Sequence, residues 1–370
     1  MLPEAAPRPF APPAIATPVS HEPEPVTFHG TGAEYFRIWI VNLFLSIITL
    51  GIYSAWAKVR RLHYFYRNTR LAGAVFDYHG KPGAILKGRI VGAVLFAAYT
   101  GAGAISPLFG LAAAALIGLA LPWLLVRSLR FRLYNSSYRG LRFQFHGKTS
   151  SAYWVFVCLP VLSVFTLFTL VPFVHHRIKR FQHDNAAFGR TRFRFGAPVS
   201  EFFVTYLLAI SLLIGIVILA GFAAVLGMIV VMPRNPAGQP PGTPPEMAQQ
   251  VLAILPFMLV YGSGILAMRA LLMARLQNEI WSRMRLGAHR FSCRLDGVRL
   301  FGVLWTNVAL TILTLGLFTP FAQIRLAQFT ASAFTLLPGG ALDEFAAGDQ
   351  QQVAAYGQEM ADFFDFDISF

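Results

Sequence analysis

Apolar residues run along the chain in seven long stretches separated by short, strongly basic segments. Three stretches stand singly, at about 38–57, 152–174 and 300–322. Four come as two pairs, at about 90–104 with 107–126 and 202–231 with 251–273. Each approaches or exceeds the ~20 residues a helix needs to cross a bilayer. Around the first run the polar residues Glu34, Asn42, Ser46 and Thr49 fall mostly three or four apart, which places them on one helix face. Between runs, alternation of polar and apolar positions predicts short strands at 26–30, 74–80, 141–147 and 192–196. The order is therefore single run, hairpin, single run, hairpin, single run, with a basic turn and a strand at each junction.

The junctions are copies of one another. Ala55, Pro122 and Pro172 are each followed at five residues by an arginine (Arg60, Arg127, Arg177) and eight later by an asparagine (Asn68, Asn135, Asn185). Two glycines seven residues apart follow in each copy: Gly73 and Gly80, Gly140 and Gly147, Gly189 and Gly196. Weaker copies begin at Ala270 and Pro320 and keep Arg275 and Arg325. Offsets held this closely mark an internal repeat. The single runs also align, through Thr49-Leu50-Gly51, Thr166-Leu167-Phe168 and Thr314-Leu315-Gly316, which sets Asn42 and Asn307 at equivalent places seven residues earlier.

Composition makes this a membrane protein: 13% of the 370 residues are charged, 55% are hydrophobic, and the mean hydropathy is +0.54. Soluble domains carry about a quarter charged residues. A net charge of +14 could suggest nucleic acid, but Lys and Arg beside apolar runs act as topology determinants and headgroup contacts, so no nucleic-acid partner is called for. Their distribution bears on topology. Of 31 basic residues, eight lie in 58–89, six in 127–148, six in 177–194 and seven in 269–299. If all seven runs crossed, these would split 14 against 13 between the two faces, against the positive-inside bias. If the single runs do not cross, all 27 share one face. Gly51, Gly316, Pro172 and Pro320 offer the break points that bent or re-entrant runs require. Four full spans plus three bent runs is the favoured arrangement, with seven spans as the alternative.

Candidate chemistry is sparse. His29, His79 and His146 each precede a glycine at a strand end and could share a metal if the strands were adjacent, but a histidine closing a strand at headgroup level is the stronger account; no metal or cofactor is called for. Two cysteines without regular spacing make no disulfide framework. No phosphate loop, nucleophile elbow or carboxylate pair stands out, so no enzyme is expected. Asn42, Thr49, Thr166, Asn307 and Thr314 are candidates for a polar path, or else ordinary interhelical hydrogen-bonding residues. Trp56, Arg60, Trp123, Arg127, Arg177 and Arg325 are candidates for headgroup anchors. Seven of the 17 acidic residues lie beyond 342, as a tail that either docks on the basic junctions or stays solvated.

The segments Phe28-His29-Gly30, Thr49 to Arg60, Asn68-Thr69 and Phe76-Asp77-Tyr78-His79-Gly80 resemble the YjgN-like family, as does the tail from Gly357 to Asp367. The resemblance covers about 27–370. It implies a multi-pass protein of the bacterial inner membrane and carries no activity or catalytic residues. The expected fold is an all-α polytopic membrane protein, in which single apolar helices or re-entrant runs alternate with helical hairpins and short strands lie at basic junctions on one, cytoplasmic, face. A disordered Pro-rich tail (1–26) precedes the membrane domain (27–335), with repeat units near 27–80, 143–196 and 291–335 and hairpins near 84–127 and 200–275; an acidic tail (336–370) follows. Two functions fit: a transporter or channel for a small solute, favoured on architecture, or a membrane-organising protein that binds anionic lipid headgroups. The bilayer is the expected partner, and a homo-oligomer is compatible with the pattern.

Overall fold

The computed structural model describes residues 22–231 and 247–340. The Pro-rich segment 1–21, most of the predicted 232–249 loop and the acidic tail from 341 onward lie outside the described residues.

Five times the chain runs strand, helix, helix, strand. The first unit is β2 (Thr27–Phe28), α1 (Gly32–Ile48), α2 (Ser54–Arg67) and β3 (Thr69–Leu71). The second is β4 (Ala74–Tyr78), α3 (Pro82–Ile105), α4 (Pro107–Tyr134) and β5 (Ser136–Tyr138). The third is β6 (Leu141–Phe145), α5 (Thr149–Phe165, widened at Trp154–Cys158), α6 (Val171–Asp184) and β7 (Ala186–Phe188). The fourth is β8 (Thr191–Arg194), α7 (Val199–Val231), α8 (Met247–Ser282) and β9 (Arg285–Leu286). The fifth is β10 (His289–Cys293), α9 (Gly297–Leu313), α10 (Thr319–Ser332) and β11 (Phe334–Leu337). The pairs α1/α2, α5/α6 and α9/α10 are short, and α3/α4 and α7/α8 are long.

The all-α expectation is therefore corrected. Among the described residues the short strands join into one antiparallel sheet of eleven, from β1 (Glu24–Pro25) through β11, β10 and so on down to β2. Its two end strands flank Val26 in the chain, whose N–H donates to the Phe334 carbonyl at 2.9 Å, so the sheet closes on itself as a near-barrel. The hairpin turns explain the repeated glycines. Ala72-Gly73 and Arg139-Gly140 take positive φ at both turn positions, whereas in the other two turns the glycine (Gly189, Gly287) comes first. That shift is why the asparagine-to-glycine offset shortens by one in the third copy.

The repeated asparagine clips the base of a helical pair. Asn68, Asn135 and Asn185 each donate a side-chain N–H to the carbonyl four residues earlier at 2.8–2.9 Å. Their main-chain carbonyls accept the N–H of His29, His79 and His146 from the strand that opens the same unit. Ala333 accepts Arg294 N–H in the same way in the fifth unit. Both ends of every helical pair thus sit on the sheet, and all five pairs leave from it.

The barrel interior is filled. Leu71, Tyr138, Phe188, Leu286 and Leu336 hold the same place in the five units, three residues past the clip position, and together with Leu141 form one buried cluster. Tyr138 donates its hydroxyl to the Leu71 carbonyl at 2.7 Å, leaving its polar end satisfied inside the plug. Around this base the helices pack with their ring neighbours: α2 on α3, α4 on α5, α6 on α7, α8 on α9 and α10 on α1.

Each single run of the sequence is two helices folded back at a tip. At Thr49-Leu50-Gly51, Thr166-Leu167-Phe168 and Thr314-Leu315-Gly316, the second and third residues take positive φ. The third residue donates its N–H to the carbonyl five back (Ser46, Ser163, Thr311) at 2.7–2.8 Å, which closes a Schellman turn. Thr49 and Thr314 donate their hydroxyls to Leu45 and Leu310 and accept the N–H of Tyr53 and Phe318. Leu50, Leu167 and Leu315 are 95%, 86% and 94% exposed. An apolar tip with its backbone satisfied internally suits hydrocarbon, where unmet polar groups are not tolerated.

Candidate functional site

The five polar-path candidates do not converge. Thr49, Thr166 and Thr314 stand at three separate tips, with each hydroxyl bonded inside its own turn. Asn307 is buried between α9 and α10, donating to the Ala322 carbonyl at 3.1 Å and accepting Arg325 at 3.0 Å. Asn42, its equivalent in α1, is equally buried but its Oδ1 has no partner.

Five of the anchor candidates take part in cation–aromatic or aromatic pairs; Trp56, Arg60 and Trp123 are exposed, and Arg127 and Arg177 half-buried. The Arg127 guanidinium sits 5.2 Å over Trp123 and that of Arg177 sits 4.9 Å over Phe173, a turn apart on one helix face. Arg60 turns to Tyr53 at 5.8 Å, and Trp56 stacks on the same tyrosine. Arg325 points inward, to Asn307 and to the Thr306 hydroxyl.

A cationic row also stands on the outer face of the sheet. Arg194, Arg285 and Arg290 are direct cross-strand partners on β8, β9 and β10, and all three are exposed. Like charges opposite one another on a sheet repel, and an anion placed across the row would relieve that repulsion. Arg283 beside it is held by Glu279 at 3.0 Å. The histidines that end the strands cannot share a metal: β2, β4 and β6 are two strands apart, hence ~10 Å between neighbouring histidines at normal strand spacing. His79 bonds the Ser137 hydroxyl at 2.8 Å instead; burial, then the nearby Arg142, push its pKa down. His146 is likewise lowered by burial and by Arg192. Among the described residues no group of three His, Cys, Asp or Glu is placed to hold a metal ion.

A second basic feature spans three units. Along α1 the residues Tyr35, Trp39, Asn42 and Ser46 form one stripe, facing Ser54, Lys58 and Arg61 of α2 across a cleft of about 430 Å³. Arg89 of α3 and Gln323 of α10 complete its walls, and among the described residues that line it none is acidic. Arg89 donates to the Ser54 hydroxyl, and Tyr35 to Gln323 Oε1 at 3.1 Å. Sequence reading missed this site because its walls come from three units, with Tyr35 and Gln323 at opposite ends of the chain; the signal present was that the first polar stripe faces Lys58 and Arg61 one helix later.

Residues 23–363 match the family model described as "Bacterial protein of unknown function (DUF898)". The chain belongs to this family. Among named relatives of the family type, it is 33% identical to "Inner membrane protein YjgN" of Escherichia coli O157:H7 over 144 residues, 39% of this chain and 36% of the relative. It is 34% identical to the protein of the same name from Escherichia coli (strain K12) over 149 residues, and 30% to that of Salmonella typhimurium over 154, with similar coverage. The chain thus matches little more than a third of the length of these curated relatives. No solved structure matches it.

Proposed function

We propose that this protein is a multi-pass component of the bacterial inner membrane that binds anionic lipid headgroups at its sheet face, and that it is not a conduit. The apolar plug carries this reading: a solute path along the axis would have to pass Leu71, Tyr138, Phe188, Leu286 and Leu336. Its spans support it too. Among the described residues four helices are long and apolar enough to cross a membrane, yet only 6–22% of each such window is buried, and no extensive packing joins the two long pairs. Transport sites sit between packed spans, and here the spans face outward. The polar-path candidates are used up in turns and local bonds, apart from Asn42.

In this arrangement α3/α4 and α7/α8 cross the membrane, the three short pairs enter and return, and the sheet lies on the cytoplasmic side with the basic junctions. Family membership and the names of the relatives support an inner-membrane site. Each Arg or Lys near an anionic surface contributes about 1 kcal/mol of attraction, so the Arg194–Arg285–Arg290 row and the Trp123–Arg127 and Phe173–Arg177 pairs form a multivalent headgroup surface. The test is lipid mass spectrometry on protein extracted in native nanodiscs. Enrichment of anionic over zwitterionic lipid is expected, falling several-fold in an Arg194→Glu, Arg285→Glu, Arg290→Glu variant. Equal lipid composition around both proteins, or solute flux in reconstituted vesicles, would contradict it.

A further inference from the structure

The outer face of the sheet lies beside the point where the chain runs on into its acidic segment. We infer that this segment, beginning at Asp343 and Glu344, docks on the Arg194–Arg285–Arg290 row of its own chain and holds it until an anionic headgroup displaces it. The displacement rests on the headgroup reading above, while the docking does not.

The fold fixes where the segment starts. Leu337, the last residue of β11, lies directly opposite Arg290 of β10, and opposed residues of an antiparallel pair share a face. Leu337 is exposed on that outer face, while Leu336 turns into the plug. Beyond it the chain stays close to the row. Gly339 donates its N–H to Nδ1 of His289, the residue before Arg290, at 3.1 Å. It also lies so near the turn between β9 and β10 that a side chain at 339 would strike the Ala288 carbonyl. From Gly340, the three residues to Asp343 span at most ~10 Å. The row is no wider, since β8, β9 and β10 are successive strands at spacings of ~4.8 Å. Asp343 and Glu344 are therefore within reach of all three guanidinium groups.

Charge makes the match. Arg194, Arg285 and Arg290 are exposed and line one groove of about 360 Å³ together with Arg283. Glu279 pairs with Arg283, but among the described residues no carboxylate pairs with the other three. Residues 341–370 hold seven acids and no Lys, Arg or His. A guanidinium fork takes a carboxylate through two parallel hydrogen bonds. One exposed ion pair contributes little. Here several carboxylates are offered at the high effective concentration of a short tether, and they relieve the repulsion along the row as they bind. A second copy of the chain offers the same carboxylates without the tether, so the segment of the same chain is the favoured occupant. Headgroup phosphates seek the same guanidinium groups, which makes the segment a built-in competitor whose release reports an anionic membrane surface.

The experiment is zero-length carbodiimide cross-linking of the full chain, which joins a carboxylate to a neighbouring lysine amine. Arg285→Lys with Arg290→Lys keeps the row cationic and supplies the amines. In phosphatidylcholine nanodiscs holding one copy each, peptide mass spectrometry is expected to find Asp343 or Glu344 joined to position 285 or 290 as the main link from the segment. In phosphatidylglycerol nanodiscs that link falls about fivefold or more. A main link to any other lysine, or a link that forms only when two copies share a disc, overturns the docking. A yield equal in both lipids overturns the displacement. A second measurement leaves the row unaltered. Asp343→Asn with Glu344→Asn should raise phosphatidylglycerol enrichment around the protein in mixed nanodiscs, and the gain should vanish when Arg194→Glu, Arg285→Glu and Arg290→Glu are added. Unchanged enrichment counts against competition. Melting curves confirm that each variant is folded; if the lysine variant does not fold, the Asp343→Asn/Glu344→Asn comparison decides. The two readings fail separately. The cross-link without any row-dependent lipid enrichment keeps the docking and sinks the headgroup reading, and row-dependent enrichment without the cross-link does the reverse.

Discussion

The short pair α1/α2 and the long pair α3/α4 leave the same sheet through the same clip, yet one is 17 and 14 residues long and the other 24 and 28. At ~1.5 Å per residue, the short pair reaches about 25 Å and the long one about 36–42 Å. Their tips differ in kind. Between α3 and α4 an extended Ser106 separates the helices, caps the Leu108 N–H and gives its own N–H to the Ala102 carbonyl, which leaves the α3 carbonyls after Ala102 without an intrahelical partner. At the Thr-Leu-Gly tips the turn amides are bonded internally and a leucine leads. On the proposed topology, one module crosses a bilayer or turns back inside it according to its tip: a tip with unmet carbonyls is placed at the far side, and a tip bonded internally stops in hydrocarbon.

The largest effect comes from removing what long and short pairs share. Phe188→Ala opens the plug beneath both kinds of pair and is expected to cost about 3–5 kcal/mol, read as a lower thermal midpoint in nanodiscs. A loss below 1 kcal/mol would mean that the pairs stand without the barrel core. Within the short pairs, Arg325→Ala strands the Asn307 acceptor and should cost about 1–3 kcal/mol. Arg60→Ala, at the equivalent position, should stay within ~0.5 kcal/mol. Equal costs would erase the distinction between the first and fifth units.

That distinction shows where the sequence stops speaking. The repeat, the Thr-Leu-Gly tips and the one-sided charge are legible because each rests on local spacing. The barrel is not: β1, β2 and β9 are two residues long, and closure depends on Glu24–Phe28 meeting β11 and β3 from opposite ends of the chain. The plug is written in the repeat, at Leu71, Tyr138, Phe188, Leu286 and Leu336, but reads as ordinary strand residues until the ring brings them together. Asn42 and Asn307 look alike in sequence, and only the opposite turns of Arg60 and Arg325 separate them. The cleft needs side chains from three units, which no local pattern links.

The seam between a short and a long pair is sensitive to acid. His183, at the end of α6, stacks on Phe195 and meets the edge of Trp281 in α8; burial, with Lys179 nearby, pushes its pKa down to about 4. The folded protein holds this imidazole neutral while the unfolded chain protonates near 6.5. Stability is therefore full above pH 6.5 and falls as pH drops towards 4. Between pH 7 and pH 5 this group should cost about 2 kcal/mol, and His183→Phe should flatten that part of the pH profile. An unchanged profile would show that the seam is wet. The smallest effect lies at the tips. Phe168 has φ of +63°, where Thr-Leu-Gly tips carry glycine, so Phe168→Gly should stabilise by ~0.5–1 kcal/mol. Gly51→Ala, at φ of +89°, should destabilise by a similar amount.

The difference between crossing and returning is tested most directly by thiol labelling in intact cells and inverted vesicles. In a Cys158→Ala background, Cys293 is silent because it is buried and its thiol pKa is raised to about 11. Single cysteines replace Ser106 at a long tip, Leu50 and Leu315 at short tips, and Arg190 at a sheet turn. The account predicts that an impermeant maleimide reaches Ser106→Cys only from outside the cell and Arg190→Cys only from the cytoplasmic side, and reaches neither short tip from either side. Labelling of Leu50→Cys or Leu315→Cys from the same side as Ser106→Cys would contradict it.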